Sequence, residues 1–310
     1  GAEEKFHGAV IGHDGREDAR SFTETAQVGL RLEALAEITA VKREKQAAIV
    51  HDWQNKWALE GSCGPRNAGM GYWDELKRHY NALAREGIAV EFVDQNADLT
   101  GYGLVVVPML YLLTDAFAKR LCAFAQNGGT VIVTYWSGVV DESDLCRLGD
   151  TPYGLTELLG LRRTEIDGMY DGETRRCMPV AGCTLPAAQA STLCEVAALD
   201  EENPAEPLSL YAEDYFAGHP AVAVHRYGKG RAYYLASRFD EAFYRAFYHD
   251  AAMGIGLSPA WPEALPEGVL AVRRGSFVFV QNCTEQPVTV GNTVLERYRT
   301  AVWKGKDRIF

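Results

Sequence analysis

No stretch of the 310 residues holds the roughly 18 consecutive apolar side chains that a membrane-spanning helix needs, and the opening residues lack the basic-then-apolar order of a signal peptide. Neither feature, and no membrane partner, is expected of this stretch. Positive charge is in deficit: 31 Lys and Arg stand against 42 Asp and Glu, a formal net charge of −11. Nucleic acid and anionic membrane surfaces need clustered cations to neutralise phosphate, so neither is an expected partner. The seven cysteines are odd in number and form no CxxC pair, which argues against a disulfide framework or a zinc knuckle and fits a reducing cytoplasm. The seven histidines are scattered along the chain. Neither G-K-[ST] nor G-x-G-x-x-G after a strand occurs, so no metal and no cofactor is expected. With 47% apolar and 24% charged residues, the chain has the composition of a globular protein of about two domains.

Residues 21–44 carry Val28, Leu30, Leu32, Leu35, Ile38 and Val41 without an intervening proline, which predicts a helix with one buried face. A boundary is expected between Thr39 and Gln46. Apolar runs and helical periods then alternate: strand 47–51, helix 72–86, strands 89–93 and 104–107, helix 114–126, strand 130–135. Gly87 and Asn127-Gly128-Gly129 supply helix stops, and Thr114-Asp115 supplies a start. Continuous runs such as Leu104-Val105-Val106-Val107 suit a parallel sheet covered on both faces, so the order predicts a doubly wound α/β fold. The pattern weakens over 141–182, apart from a short helix at 155–161. A hairpin is expected across 221–236 around Tyr227-Gly228-Lys229-Gly230, then a helix at 240–252 whose Phe243, Tyr244, Phe247 and Tyr248 read as core. The proline-rich residues 259–266 mark a second boundary, before short strands of a small antiparallel β domain.

Two segments carry a family resemblance: Gly1-Ala2-Glu3-Glu4-Lys5-Phe6-His7-Gly8-Ala9-Val10, and Ala47-Ala48-Ile49-Val50-His51-Asp52-Trp53 with Trp57-Ala58-Leu59-Glu60. They resemble the part of a glycoside hydrolase family 42 β-galactosidase that follows most of its catalytic (β/α)8 barrel, and the likeness covers nearly the whole chain. It implies the last barrel strand and helix at 1–42, a flavodoxin-like or class I glutamine amidotransferase-like trimerisation domain at 43–257, and a small β domain at 258–310. It further implies a larger parent: a cytoplasmic homotrimer that hydrolyses terminal β-D-galactose residues by a retaining mechanism, its catalytic carboxylates lying upstream of Gly1. Glu4 and His7 match the family's galactose-binding Glu and His. A carboxylate accepts from sugar hydroxyls, and a neutral imidazole both donates and accepts. Detached from a barrel, the same residues would be a solvated terminus.

Retaining glycosidases need two carboxyl groups about 5–5.5 Å apart, and no such pair is recognisable here, so no residue of this chain is expected to be catalytic. An alternative is a free-standing amidotransferase-like domain that binds a small molecule or transfers acyl groups. It needs a nucleophile on the turn after the strand at 130–135, where Thr134-Tyr135-Trp136-Ser137-Gly138 offers no cysteine and no G-x-S-x-G frame. The glycine-rich residues 61–71 follow the first strand, where doubly wound folds hold phosphates, and suit a subunit-contact loop or a site edge. Trp53 and Trp57, in His51-Asp52-Trp53-Gln54-Asn55-Lys56-Trp57 at the end of that strand, read as interface or pocket-rim aromatics, or else as packing beneath the next loop.

Overall fold

The computed structural model describes residues 10–42, 44–62, 64 and 70–310. Helix α1 (Arg20–Ala34) and a 3-10 turn (Ala36–Ala40) come first. The α/β portion follows as β1 (Ala47–Val50), α2 (Trp53–Gly61), α3 (Tyr72–Arg85), β2 (Val90–Val93), β3 (Leu104–Val107), α4 (Asp115–Gln126) and β4 (Thr130–Thr134). Next are α5 (Thr156–Leu159), β5 (Leu161–Gly168), β6 (Thr174–Pro179), β7 (Ala188–Leu199), β8 (Glu206–Tyr211), β9 (Pro220–Tyr227), β10 (Gly230–Leu235), β11 (Ser237–Arg238) and α6 (Glu241–Gly254). The chain then forms β12 (Val269–Arg274), β13 (Phe277–Asn282), β14 (Val288–Val290), β15 (Thr293–Leu295), β16 (Thr300–Lys304) and β17 (Asp307–Arg308). Among the described residues no helix is long and apolar enough to cross a membrane.

Strands β2, β1, β3, β4 and β10 lie side by side and parallel. Their apolar runs are buried on both faces, as a covered parallel sheet requires: every residue of β1 and β3 is inaccessible. The expected doubly wound parallel sheet accounts for these five strands only. Beyond β10 the same sheet continues antiparallel through β9, β8, β6, β7 and β11, with β5 also paired to β7, making eleven mixed strands. A two-residue link turns β9 into β10 at Gly228, and short connections of this kind return a chain antiparallel, whereas parallel neighbours need a crossover. A separate antiparallel sheet, β12-β13-β16-β17, and the hairpin β14-β15 hold a small core of their own.

The first helix also departs from expectation. α1 ends at Ala34 and buries none of its residues, leaving Val28, Leu30 and Leu32 exposed. Positions two apart spread around a helix and build no stripe. Only beyond it does the segment find a core, where Leu35 and Ile38 pack with Phe277, Val302 and Phe310 of the small sheet.

A polar cluster lies against the centre of the large sheet. Glu75 of α3, fully buried, accepts from Arg238 Nε at 2.9 Å and from the Tyr244 hydroxyl at 2.9 Å, and lies 3.2 Å from His79 Nε2. The other His79 nitrogen is 2.5 Å from the Tyr248 hydroxyl. Arg238 also donates to the Tyr135 hydroxyl at 3.0 Å and to the carbonyl of Met70. Burial alone would raise the Glu75 carboxyl; the hydrogen bond and charge of His79, with Arg238 and Tyr244, overcome it and bring the group down to about 2. Burial, together with the Glu75 charge, drives the Tyr135, Tyr244 and Tyr248 phenols well above their ordinary value.

Glu75→Gln keeps the shape and removes the charge, stranding the Arg238 guanidinium. Urea unfolding at pH 7 should show a loss of about 3–5 kcal/mol. Because the folded-state value lies below the unfolded 4.5, the carboxylate's contribution is complete above that pH and disappears as pH falls toward about 2. The gap between wild type and variant should therefore narrow on acidification, and a gap that stays constant from pH 7 to 3 would contradict the assignment.

Candidate functional site

The most exposed aromatic cluster of the α/β portion is built where β1 ends. The Asp52 carboxylate caps α2, accepting from the amides of Gln54 at 2.9 Å and Asn55 at 3.1 Å. Once that turn is fixed, Trp53 and Trp57, four residues apart, share one face of α2 and point outward, 53% and 55% exposed. Asn55 on the opposite side is wholly buried. Its amide donates to the Met109 carbonyl at 3.1 Å and accepts from the Leu112 amide at 2.9 Å, clamping the segment after β3. One turn of helix thus separates two tasks, anchoring by 52 and 55 and presentation by 53 and 57.

The start of α3 completes the cluster. Trp73, 45% exposed, stacks on the His51 ring at 4.7 Å between centroids, and Trp53 meets that ring edge-on at 5.0 Å. Tyr72 lies parallel to His51 at 6.0 Å, its hydroxyl accepting from the Asp52 amide at 3.5 Å and pushed up to about 12 by burial. His51 is held below the usual imidazole range by burial, and its Nε2 is buried without a hydrogen-bond partner. Two half-exposed indoles against the His51 imidazole, and a third, Trp57, 6.2 Å from Trp53, offer a large apolar area with donors at its rim. Trp73 was not among the residues singled out from sequence; only the fold brings it beside Trp53, at 5.9 Å. Glu4 and His7 lie outside the described residues, as does most of the loop 61–71.

A second arrangement stands where β4 ends. Trp136 has φ of 58°, a left-handed conformation that costs a non-glycine residue about 1–2 kcal/mol. It is held there because its amide donates to the buried Glu195 carboxylate at 2.9 Å. Arg163 reaches the same oxygen at 2.7 Å, and the Tyr234 hydroxyl donates to the other. Ser137 is fully buried and its hydroxyl accepts from the Leu110 amide at 3.0 Å. Gly138 has φ of 62°, and a Cβ there would lie 2.7 Å from the Tyr153 amide, so only glycine fits. No histidine ring is among the partners of Ser137, and a hydroxyl without a base is a poor nucleophile, so the turn is built for packing.

Comparison with known proteins accords with this geometry. Residues 45–258 match the family model described as the β-galactosidase trimerisation domain. β-Galactosidase BglY of Alicyclobacillus acidocaldarius is 43% identical over 293 residues, a match that covers 92% of this chain and 42% of that protein. Among solved structures, the cold-adapted β-galactosidase from Rahnella sp. R3 superposes with a TM-score of 0.90 at 40% identity, covering 96% of this chain and 46% of that one. Gan42B, a GH42 β-galactosidase from G. stearothermophilus, superposes with a TM-score of 0.87 at 32% identity, covering 97% and 46%. The chain therefore spans less than half the length of these relatives. The mixed sheet, the small antiparallel sheet and the matched residues agree on one conclusion: the chain belongs to the glycoside hydrolase family 42 β-galactosidases, as the part that contains their trimerisation domain.

Proposed function

We propose that the chain is the non-catalytic assembly portion of a β-galactosidase, whose whole form hydrolyses terminal non-reducing β-D-galactose residues with retention and works in the cytoplasm as a homotrimer. The observation that carries this reading is the cluster in which Trp53 and Trp73 pack on His51 and Trp57 packs on Trp53, an exposed aromatic surface on a rigidly capped helix end. Buried area of this kind, with indole donors at its rim, supplies the anchors of protein interfaces. The buried carboxylates are committed elsewhere: Glu75 is neutralised by Arg238 and Glu195 by Arg163, so neither is free to act as nucleophile or acid.

In this reading residues 1–42 belong to the end of the catalytic barrel, 43–257 form the assembly domain and 258–310 the small β domain. Glu4 and His7 contribute to the galactose pocket. The strand order β2-β1-β3-β4 supports a flavodoxin-like or amidotransferase-like ancestry for the parallel half. No cofactor and no nucleic-acid or membrane partner enters the reading.

Light scattering of the full chain over a concentration series tests it. The expected mass approaches three times 34.2 kDa, and the double variant Trp53→Ala/Trp57→Ala should fall to one chain while keeping the circular dichroism spectrum of the folded chain. A wild-type chain that stays a monomer at every concentration, or a double variant with unchanged mass, sinks the assembly role of this face. Asn55→Ala should do the opposite, because it strands the Met109 carbonyl and the Leu112 amide inside the core. Denaturant titration should show a loss of about 1–3 kcal/mol, and no loss would mean that the clamp is unimportant.

A further inference from the structure

Helices α3 and α6 face each other across a groove of about 280 Å³. From α3, Asp74, Lys77, Arg78 and Arg85 line it at helical spacing; from α6, Glu241 and Arg245 do, four residues apart. In a chain of net charge −11, this lining carries four cations and two carboxylates. Both carboxylates already have partners. Asp74 pairs with Lys77 at 2.8 Å, and Glu241 pairs across the groove with Arg85 at 2.6 Å.

Two guanidinium groups are left over. The Arg78 Nε is buried and has no hydrogen-bond partner. Arg245 is exposed, lines the groove and has no ion-pair partner among the described residues. The floor is the buried Tyr244, whose hydroxyl is occupied by Glu75, and that carboxylate is in turn neutralised by Arg238. No charge from below therefore compensates the two arginines, and the Asp74 charge that acts on Arg78 is shared with Lys77. A guanidinium nitrogen buried without an acceptor is costly, and the planar fork of donors suits carboxylate or phosphate oxygens.

We propose that this groove is a binding site for a small dissolved oxyanion, a phosphate or the carboxylate or phosphate group of a small metabolite, held between Arg78 and Arg245. The site is independent of the assembly reading: it lies on the α3–α6 face and uses none of the exposed tryptophans. Its volume is at the small end for ligand pockets and accepts a compact anion rather than a long chain.

Calorimetric titration of the full chain with inorganic phosphate, with ionic strength matched by chloride, is the test. Saturable binding at one site per chain is expected, and Arg78→Gln and Arg245→Gln should each weaken it about tenfold while leaving the unfolding midpoint in chloride unchanged. Lys77→Gln should matter less, since that ammonium is already paired. Absence of saturable binding over the chloride control would overturn the proposal, as would variants that bind like wild type. An Arg78→Gln/Arg245→Gln double variant whose mass by light scattering changes while phosphate affinity does not would also overturn it, because the groove would then seat a carboxylate of a second copy.

Discussion

A single guanidinium at the centre of the molecule holds together regions that the chain order keeps far apart. Arg238, on the last strand of the antiparallel half, bonds Glu75 on α3, Tyr135 after β4 and the Met70 carbonyl before α3, partners 163, 103 and 168 positions away. Removing such a charge from water costs several kcal/mol, and only a full set of acceptors offsets it. The geometry meets that demand with one carboxylate, one phenol and one carbonyl. The antiparallel half is thereby locked to the parallel half, and the residue that precedes the aromatic cluster is fixed to the core.

The neighbouring ion pair extends the same logic. Tyr135 belongs to the Arg238 network, whereas the next residue, Trp136, gives its amide to Glu195 and the Arg163 pair. Adjacent residues at the end of β4 thus join two separate buried charge systems. The left-handed turn between them persists because both sides are satisfied. In an enzyme, such a turn at a sheet edge would present a reactive side chain. Here the Trp136 amide and the Ser137 hydroxyl are engaged by the interior, and the exposed aromatic surface lies instead at the end of β1.

What could be read from the chain beforehand follows from where the signal is local. The runs at Leu104–Val107 and Thr130–Thr134, the stop at Gly87 and the aromatic core of α6 are patterns within a few residues, and the structure agrees with them. Strands β5, β6 and β8 escaped notice because their faces are mixed: β6 reads Thr174-Arg175-Arg176-Cys177-Met178-Pro179 with one buried position. Helix α2 was missed for a related reason, since its outward side carries two tryptophans and it shows no apolar stripe. The Asp-Trp-x-Asn-x-Trp run was recognisable as a motif. The division of labour inside it, and the arrival of Trp73, depend on contacts that only the folded sheet creates.

Four residues of that run have a consequence for divergence. Asp52 and Asn55 answer to the interior of their own chain, while Trp53 and Trp57 turn about half of their surface outward. Proteins that share this fold can exchange the outer pair together with a changing neighbour and still close the same helix cap. The inner pair has no such latitude, because its partners are backbone atoms whose identity no substitution alters. Drift along this short segment should therefore alternate, with fixed and free positions interleaved at the spacing of a single helical turn.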